Sequence, residues 1–519
     1  MVKIDTTHYA DDLNTEGHYI PKSYRFERGI EETERGRRVD SLQFDAESNT
    51  HFVYHDMNEL IDTANGQSVL KAMLDRFFYA QKERLSILDH YSKGENYTVL
   101  SGRRRIENEK SDYRVTHNWG AYISNYITGY LLSLPVTIGT KDPDDNEDEA
   151  LEELNQINDA NDVDSLNFEL GFDTSRFGRA YELHYRDEEG RDHITLIDPQ
   201  EIFVIRSADV SKKIIGAVHV PIYNDSVYMT VYTDDSIIKY KPYRQGQFVF
   251  AEESRQRHFY GLTPVVEWQN NRFRQGDFET VISLIDAYDS AQSDTANYMS
   301  DLNDALLVIN GDLQSNSLTV DDVQKMKEAN MLVLESGMDI NGKQTTLSAE
   351  YIYKQYDVTG TEAYKTRLMN DIYKLSNVPN LDDDRFYSGQ SGVALQYKMI
   401  GLEQVRSIKE AFYTKALKRR YQLIENIHSE LSMNGIQSSD LTFTFHTNIP
   451  QDVWAEVEKY ISAGGEVSQT TLMELASFIE NIDNEKVRLE NDSLPSNATD
   501  QLKAFMLNKQ GDADGQAAE

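Results

Sequence analysis

The sequence has no cysteine in 519 residues. That excludes disulfides and thiolate metal sites and fits a reducing compartment or a protein that needs no such staples. Basic residues are scarce: 52 Lys and Arg face 87 Asp and Glu, a formal net charge of −35. Such a chain does not bind DNA by neutralising phosphates, as sequence-reading DNA binders do. Its acidity makes it soluble and self-repelling. No apolar run approaches the roughly eighteen residues of a membrane span. The opening stretch, MVKIDTTHYADDLNTEGHYI, lacks an apolar segment of signal-peptide length. The expectation is a protein that begins life in the cytosol without membrane contact. The 12 histidines are scattered, with no HExxH. There is no GxSxG and no fixed internal repeat. No credible active site, resident metal or cofactor emerges.

The length suits roughly two to four domains. Residues 1–65 are polar and rich in charges of both signs, and read as a partly ordered arm. Apolar residues near helical spacing (Leu70, Met73, Phe77, Ala80, Leu85) predict a helix over about 66–92. After the basic triplet Arg103, Arg104, Arg105 comes HNWGAYISNYITGYLLSLPVTI, a dense apolar helix punctuated by Gly129 and Pro135. From 178 to 268 the period becomes two, as in a mainly antiparallel β region. A helix over 276–300 places Val281, Leu284, Ile285 and Tyr288 on one face and Asp286, Asp289 and Asp294 elsewhere on its surface. A small mixed segment over about 301–357 precedes a helix at 358–378, and a very long helix follows from about 391. A strand LTFTFH, two further helices and a polar tail complete the chain. The fold class is α+β.

Two patterns imitate known sites. Asp142, Asp144, Asn146 and Asp148 alternate as in a calcium loop, but the turn glycine is missing and Pro143 intrudes. Gly337, Gly342 and Lys343 have phosphate-loop spacing after the apolar run MLVLE, which makes a nucleotide hydrolase the alternative function. Gln344 stands where a Ser or Thr would hold magnesium, and TTLSAEYIYK reads as a strand, so a hairpin turn is the simpler reading. A third idea, a monomeric acidic binding module, leaves long amphipathic helices without neighbours to bury their stripes.

The stretch PNLDDDRFYSGQSGVALQYKM, from Pro379 to Met399, is a polar, glycine-bearing loop that becomes a helix. Ser388 or Ser391 can cap that helix while Gly389 and Gly392 let the loop bend. Asp382, Asp383 and Asp384 point in different directions on a loop and make a poor metal site.

Four stretches in this order resemble the portal proteins of tailed bacteriophages, specifically those of long-tailed phages infecting Gram-positive bacteria. They are YITGYLLSLPVTI, GLTPVVEWQNNRFRQGDFETVISLIDAYDSAQSD, YKLSNVPNLDDDRFYSGQSGVALQYKMIGLE and VSQTTLMELASFIENIDNEKVRLE. The SGxAL helix start after a polar loop is the most specific feature. The resemblance implies an arm (1–65), a β-rich wing (66–275), a first stem helix (276–300), a clip (301–357) and a second stem helix (358–378). A tunnel loop (379–391), a long wing helix and strand (392–448), a helical crown (449–500) and a tail (501–519) would follow. It also implies a ring, usually of twelve copies, at one capsid vertex of the virion, assembled in the host cytoplasm. Double-stranded DNA would pass through the ring without sequence preference, inward during packaging and later outward. The implied partners are the terminase large subunit, a head–tail adaptor, and the major capsid and scaffolding proteins.

In that setting Asp382, Asp383, Asp384, Arg385, Phe386, Tyr387, Ser388, Gly389 and Gln390 would touch DNA in the channel, with Arg385 the only cation among them. Lys365, Arg367 and Lys374 are candidate stem contacts with DNA. Leu284, Ile285 and Tyr288 are candidate subunit-interface residues. Acids of the first stem helix, turned to the lumen, would repel phosphates.

Overall fold

The computed structural model describes residues 32–33, 36–37, 44, 46–49, 51–100, 112–141, 145–224, 226–243, 250–301, 306–311, 325, 331–335, 348–352, 357–380, 399–431 and 437–446. A small pair, β1 (Glu32–Thr33) and β2 (Gly36–Arg37), precedes β3 (Phe52–Tyr54), α1 (Met57–Asp62), α2 (Ala64–Arg76) and α3 (Lys82–Ser92). The helix expected over 66–92 is therefore broken by a π-helical stretch, Phe77–Gln81. Leu70, Met73 and Leu74 before the break, and Phe77 at its first position, face one core; after it, α3 packs on other helices. The wider turn rotates the buried face of the chain.

Residues 52–61, expected in the arm, are built into the body. β3 pairs in parallel with a central strand, and Phe52, Met57, Leu60 and Ile61 are buried. A strand and a helix this short fall below the length at which periodicity speaks.

Next come α4 (Tyr97–Leu100), α5 (Trp119–Leu132), β4 (Thr137–Thr140), α6 (Asp145–Ala160) and α7 (Val163–Phe177). The Asn118 side chain caps α5 by accepting from Ala121 N at 3.0 Å. Because α6 begins at Asp145, Asn146 and Asp148 lie inside a helix, not in a calcium-type loop.

The period-two region yields β5 (Arg179–Arg186), β6 (Asp192–Ile197), β7 (Ile202–Ser207), β8 (Ile214–His219), β9 (Ile222–Tyr223), β10 (Ser226–Tyr232), β11 (Ser236–Tyr243), β12 (Glu252–Arg257) and β13 (Val265–Gln269). They form a seven-stranded sheet, ordered β12-β11-β10-β8-β7-β3 with β9 on β10, and a three-stranded sheet, β13-β5-β6. Alternation stacks the layers. Phe203 and Ile205 of β7 face α1 and α2, while Ile202 and Val204 face Tyr181 and Val265 of the smaller sheet. On that sheet's far side, Ala180, Val266 and Trp268 meet a helical layer. Strand β7 is apolar on both faces because both are covered. The outer edge, β12, reads EESRQR and is almost wholly exposed, a charged edge that discourages further pairing.

The chain then runs through α8 (Ile282–Asp301), β14 (Leu306–Gly311), β15 (Met331–Glu335), β16 (Ser348–Ile352) and α9 (Val358–Ser376). It returns as α10 (Ile400–Glu430) and β17 (Leu441–Thr444), which pairs with β4. Strand β14 is central to a small sheet, parallel to β15 and antiparallel to β16. Residues 447–519, where two helices and a polar tail are expected, lie outside the described residues.

Helix α10 closes the body. Its Tyr413 ring packs edge-on to Trp268 at 5.2 Å, and the Arg420 guanidinium lies 5.1 Å from the Trp268 ring. Arg420 also donates to Glu182 at 2.6 Å and to Asn167 at 2.8 Å, fastening α10 to β5 and α7. Both members of the Arg420–Glu182 pair are fully buried. Burial alone would raise the Glu182 pKa, but Arg420 and His184 together hold it down at about 2.

Removing one partner strands the other charge, so Arg420→Met should cost about 3–5 kcal/mol in a denaturant titration. Because the folded-state pKa of Glu182 lies below its ordinary value, its contribution is complete above about pH 4.5 and is lost as pH falls toward about 2. Glu182→Gln should therefore flatten the acid limb of the stability profile over that window. An unchanged limb would show that the pair does not govern it.

Candidate functional site

The excursion from α8 to α9 is inserted between β13 and α10, two elements packed against each other. Its root is the turn from Asn270 to Glu279. There the backbone passes so close to the end of α7 that side chains are excluded. Gly178 has φ +82, and a Cβ there would lie 2.1 Å from Arg274 O. A Cβ on Gly276 would lie 2.5 Å from Arg176 O. Arg274 itself adopts φ 54, a strained value for a residue that carries a Cβ.

Ion pairs hold this turn from several sides. Arg84 of α3 donates to Glu279 at 2.8 and 2.5 Å and to Arg274 O at 3.2 Å. Lys409 of α10 reaches Asp277 at 2.7 Å, and Ser175 of α7 donates to the same carboxylate at 2.5 Å. Arg274 donates to Glu267 of β13 at 2.7 Å, and Arg206 of β7 binds that carboxylate too. Burial would raise the Glu267 pKa, yet the arginines around it hold it well below the carboxylate range.

From the root, α8 runs beside an extended segment, 112–118. Asp289 accepts from His117 N at 3.1 Å and from Asn96 Nδ2 at 2.5 Å, and meets the His117 ring at 2.7 Å. Ser293 accepts from Val115 N at 2.9 Å. Asn297 accepts from Tyr113 N at 2.7 Å and donates to Tyr113 O at 3.0 Å. Four helical residues rise about 6 Å and two extended residues about 6.6 Å. A polar stripe at i, i+4, i+8 therefore pairs with every second residue of an extended chain running the other way.

This corrects the expectation that α8 turns its acids outward. Asp289 is fully buried and Asp286, which accepts from Tyr91 OH at 2.6 Å, is 5% exposed. Asp294 alone of the three is exposed. The polar face of α8 holds the 112–118 segment as a strap rather than facing solvent. The stripe was readable from the sequence; its partners, more than 170 positions away, were not.

The interface candidates are placed differently from one another. Ile285 is enclosed within the subunit, whereas Leu284 and Tyr288 are half-buried. Tyr288 packs on Trp119 at 6.1 Å, and Trp119 also packs on Tyr373 of α9 at 5.2 Å. The start of α8 thus lies beside the end of α9. On α9, Lys365 is buried and bound to Glu362 at 2.8 Å, so it does not reach a ligand outside the fold. Arg367 is exposed and pairs with Asp371 at 3.1 Å, and Lys374 is exposed.

Of the loop, Pro379 and Asn380 are described; Asp382 to Gln390 lie outside the described residues. Its two ends meet. Asn377 closes α9 in the left-handed conformation, φ 59, and a methyl group at Gly401 would sit 3.1 Å from Asn377 Oδ1. Val378 and Met399 are buried, and Glu403 accepts from Tyr130 OH, tying the start of α10 to α5. Gly337–Lys343 also lies outside the described residues, but only residues 344–347 separate Lys343 from strand β16. That leaves no room for the helix whose N-terminus would bind phosphate, and the hydrolase alternative has no support.

A family model described as phage portal protein, SPP1 Gp6-like, matches residues 77–493. The portal protein of Bacillus phage SPP1 is 22% identical over 495 residues, covering 92% of each chain. The portal protein of Clostridium phage phiCD119 is 22% identical over 408 residues, covering 74% of this chain and 83% of its own. A chain from the neck of an empty GTA particle, computed with C6 symmetry, covers 72% of this chain and 90% of its own at 12% identity, with a TM-score of 0.36.

Two substitutions test the root and the strap. Gly178→Ala places a Cβ where backbone already sits and should destabilise the body by about 2 kcal/mol or more on thermal melting. Asp289→Asn weakens charge-assisted bonds to the strap and should cost about 2 kcal/mol. Hydrogen exchange at the amides of Val115 and His117 should accelerate in the second variant. Unaltered exchange there would show the strap is held by something else.

Proposed function

The chain belongs to the SPP1 Gp6-like phage portal protein family, and from that premise we propose how its parts serve a DNA channel at the capsid vertex. Copies close into a ring, twelve in the pattern the family resemblance implies. The sheet body with α10 is the wing, α8 and α9 are the stem, and the small sheet of β14, β15 and β16 is the clip. The terminase large subunit, head–tail adaptor, and capsid and scaffolding proteins dock on this ring, which assembles in the host cytoplasm. The chain itself performs no catalysis.

One observation carries the reading. A helix–sheet–helix excursion leaves the body at a rigid root and returns to a point where Asn377 and Gly401 nearly touch. In this reading the segment between them, which includes Asp382 to Gln390, is the tunnel loop. Its polar residues contact DNA without sequence preference, with Arg385 its one cation and Asp382, Asp383 and Asp384 limiting the attraction. In the stem, Asp371 already occupies Arg367, which leaves Lys374 as the available phosphate contact among the three cations considered. Few phosphate contacts keep the duplex mobile, because non-specific affinity grows with each phosphate neutralised.

The test is DNA packaged per assembled capsid. Shortening the 379–391 loop, or replacing Gly389 by proline, should leave rings intact and reduce packaging severalfold. Arg385→Ala should have a smaller effect, since one solvated phosphate contact contributes about 1 kcal/mol. Full packaging with the loop deleted would reduce this stretch to a linker with a good helix cap.

A further inference from the structure

The root gathers more positive charge than it neutralises. Four guanidiniums meet there, Arg84, Arg179, Arg206 and Arg274, against the carboxylates of Glu267 and Glu279. Arg84 binds Glu279, while Arg206 and Arg274 share Glu267. Asp277 and Lys409 pair with each other and leave the balance unchanged. At the edge of the cluster His51 accepts from Arg274 at 3.0 Å. Partial burial, Arg274 and Arg179 push its pKa down to about 4, so at neutral pH the ring adds no charge. The local surplus is two positive charges, in a chain whose formal net charge is −35.

Arg179 is the cation among them with no carboxylate bound to it. It opens β5, is 3% exposed, and donates to the Asn49 amide oxygen. Its Nε has no hydrogen-bond partner among the described residues. The same holds for Nη1 of Arg84, the end turned away from Glu279, and for the hydroxyl of fully buried Tyr181. These groups are neighbours. Arg84 donates to Arg274 O, the atom against which Gly178, next to Arg179 in the chain, is packed. Burial lowers the Arg179 pKa; the Tyr181 hydroxyl opposes that shift and the Arg84 charge adds to it. Buried donors without acceptors are normally completed by a water or an ion. A water would satisfy the bonds and leave the charge, and in a buried site the uncompensated charge is the larger cost.

We infer that a small inorganic anion of the chloride class binds inside the root, held by Arg84 Nη1, Arg179 Nε and Tyr181 OH. Enclosure sets the size of the ligand. Both guanidiniums are nearly without solvent contact, and a phosphate or nucleotide would bring further oxygens that need water or donors of their own. A monatomic anion has no such remainder. It cancels part of the surplus charge and links α3 to β5 at the base of α8. The site belongs to the single subunit, so the inference stands apart from the ring reading.

Thermal melting of the full chain tests it, with sodium chloride replacing sodium gluconate at constant ionic strength. Gluconate is too large for an enclosed site. The wild-type midpoint should rise by about 3 °C or more between about 5 and about 500 mM chloride, because a ligand of the folded state stabilises it by mass action. Arg179→Met removes the uncompensated charge and should abolish that rise, whereas a general salt effect would act on both proteins alike. Tyr181→Phe keeps all four arginines and should raise the chloride concentration of half-maximal effect at least threefold. Bromide gives a readout that needs no variant: crystals of the wild-type chain grown in sodium bromide should show an anomalous peak in contact with Arg84 and Arg179. A midpoint indifferent to chloride, an equal rise in wild type and Arg179→Met, an unchanged half-maximal concentration in Tyr181→Phe, or bromide crystals without that peak would each overturn the inference.

Discussion

The turn from Asn270 to Glu279 is the constraint on which the rest of the molecule depends. There β13 ends, α8 begins, and three other elements arrive to hold the junction. Arg84 comes from α3, Ser175 from α7 and Lys409 from α10. The partners are buried, so the bonds are not screened by salt, and each unpaired charge would carry a large desolvation cost. Backbone-to-backbone packing at Gly178 and Gly276 adds a steric restraint that ionic contacts alone do not supply. With Arg274 held at a positive φ by Glu267, the departure of α8 from the sheet body is set by covalent geometry as much as by charge. A projecting helix is useful mechanically only if its base does not swivel.

The same logic explains how so acidic a chain uses its few cations. Among the described residues, six Lys or Arg and six Asp or Glu side chains are buried. The described interior is therefore balanced and adds nothing to the net charge of −35. The buried cations sit at joints: Arg84 and Lys409 at the root, Arg420 where α10 meets the sheet, Lys365 within α9. Basic residues fasten the fold, and the exposed surface is left to repel phosphate. A DNA channel needs that division, since a cationic lining would hold the duplex in place.

How much of this was legible follows from distance along the chain. The helices α5, α9 and α10 and the alternation of β5 to β13 write their own periods into ten or more residues. The short elements β3 and α1 do not, and Phe52 and Leu60 looked like part of an arm. Acids on α8 looked like surface because nothing near Asp289 in sequence announces Asn96 or His117. Lys365 looked like a phosphate contact because its burial depends on how α8 and α9 pack. Local patterns reveal elements; the fate of a polar side chain depends on what arrives from elsewhere.

Rigidity is also distributed unequally along the excursion. Helix α8 is fixed at its root and again along its length, where Asp289, Ser293 and Asn297 bind successive alternate residues of the 112–118 strap. Helix α9 is fixed by an apolar and aromatic stripe, Leu368, Ile372 and Tyr373, and by the left-handed cap at Asn377. Apolar contacts slide more easily than paired hydrogen bonds, which lose their partners when shifted by one residue. Any displacement of α8 would break several buried bonds together, whereas α9 can adjust by repacking side chains. Movement among the described residues here therefore has its lowest cost on the α9 side, beside Asn377 and Gly401, because the root and the 112–118 segment hold the other helix.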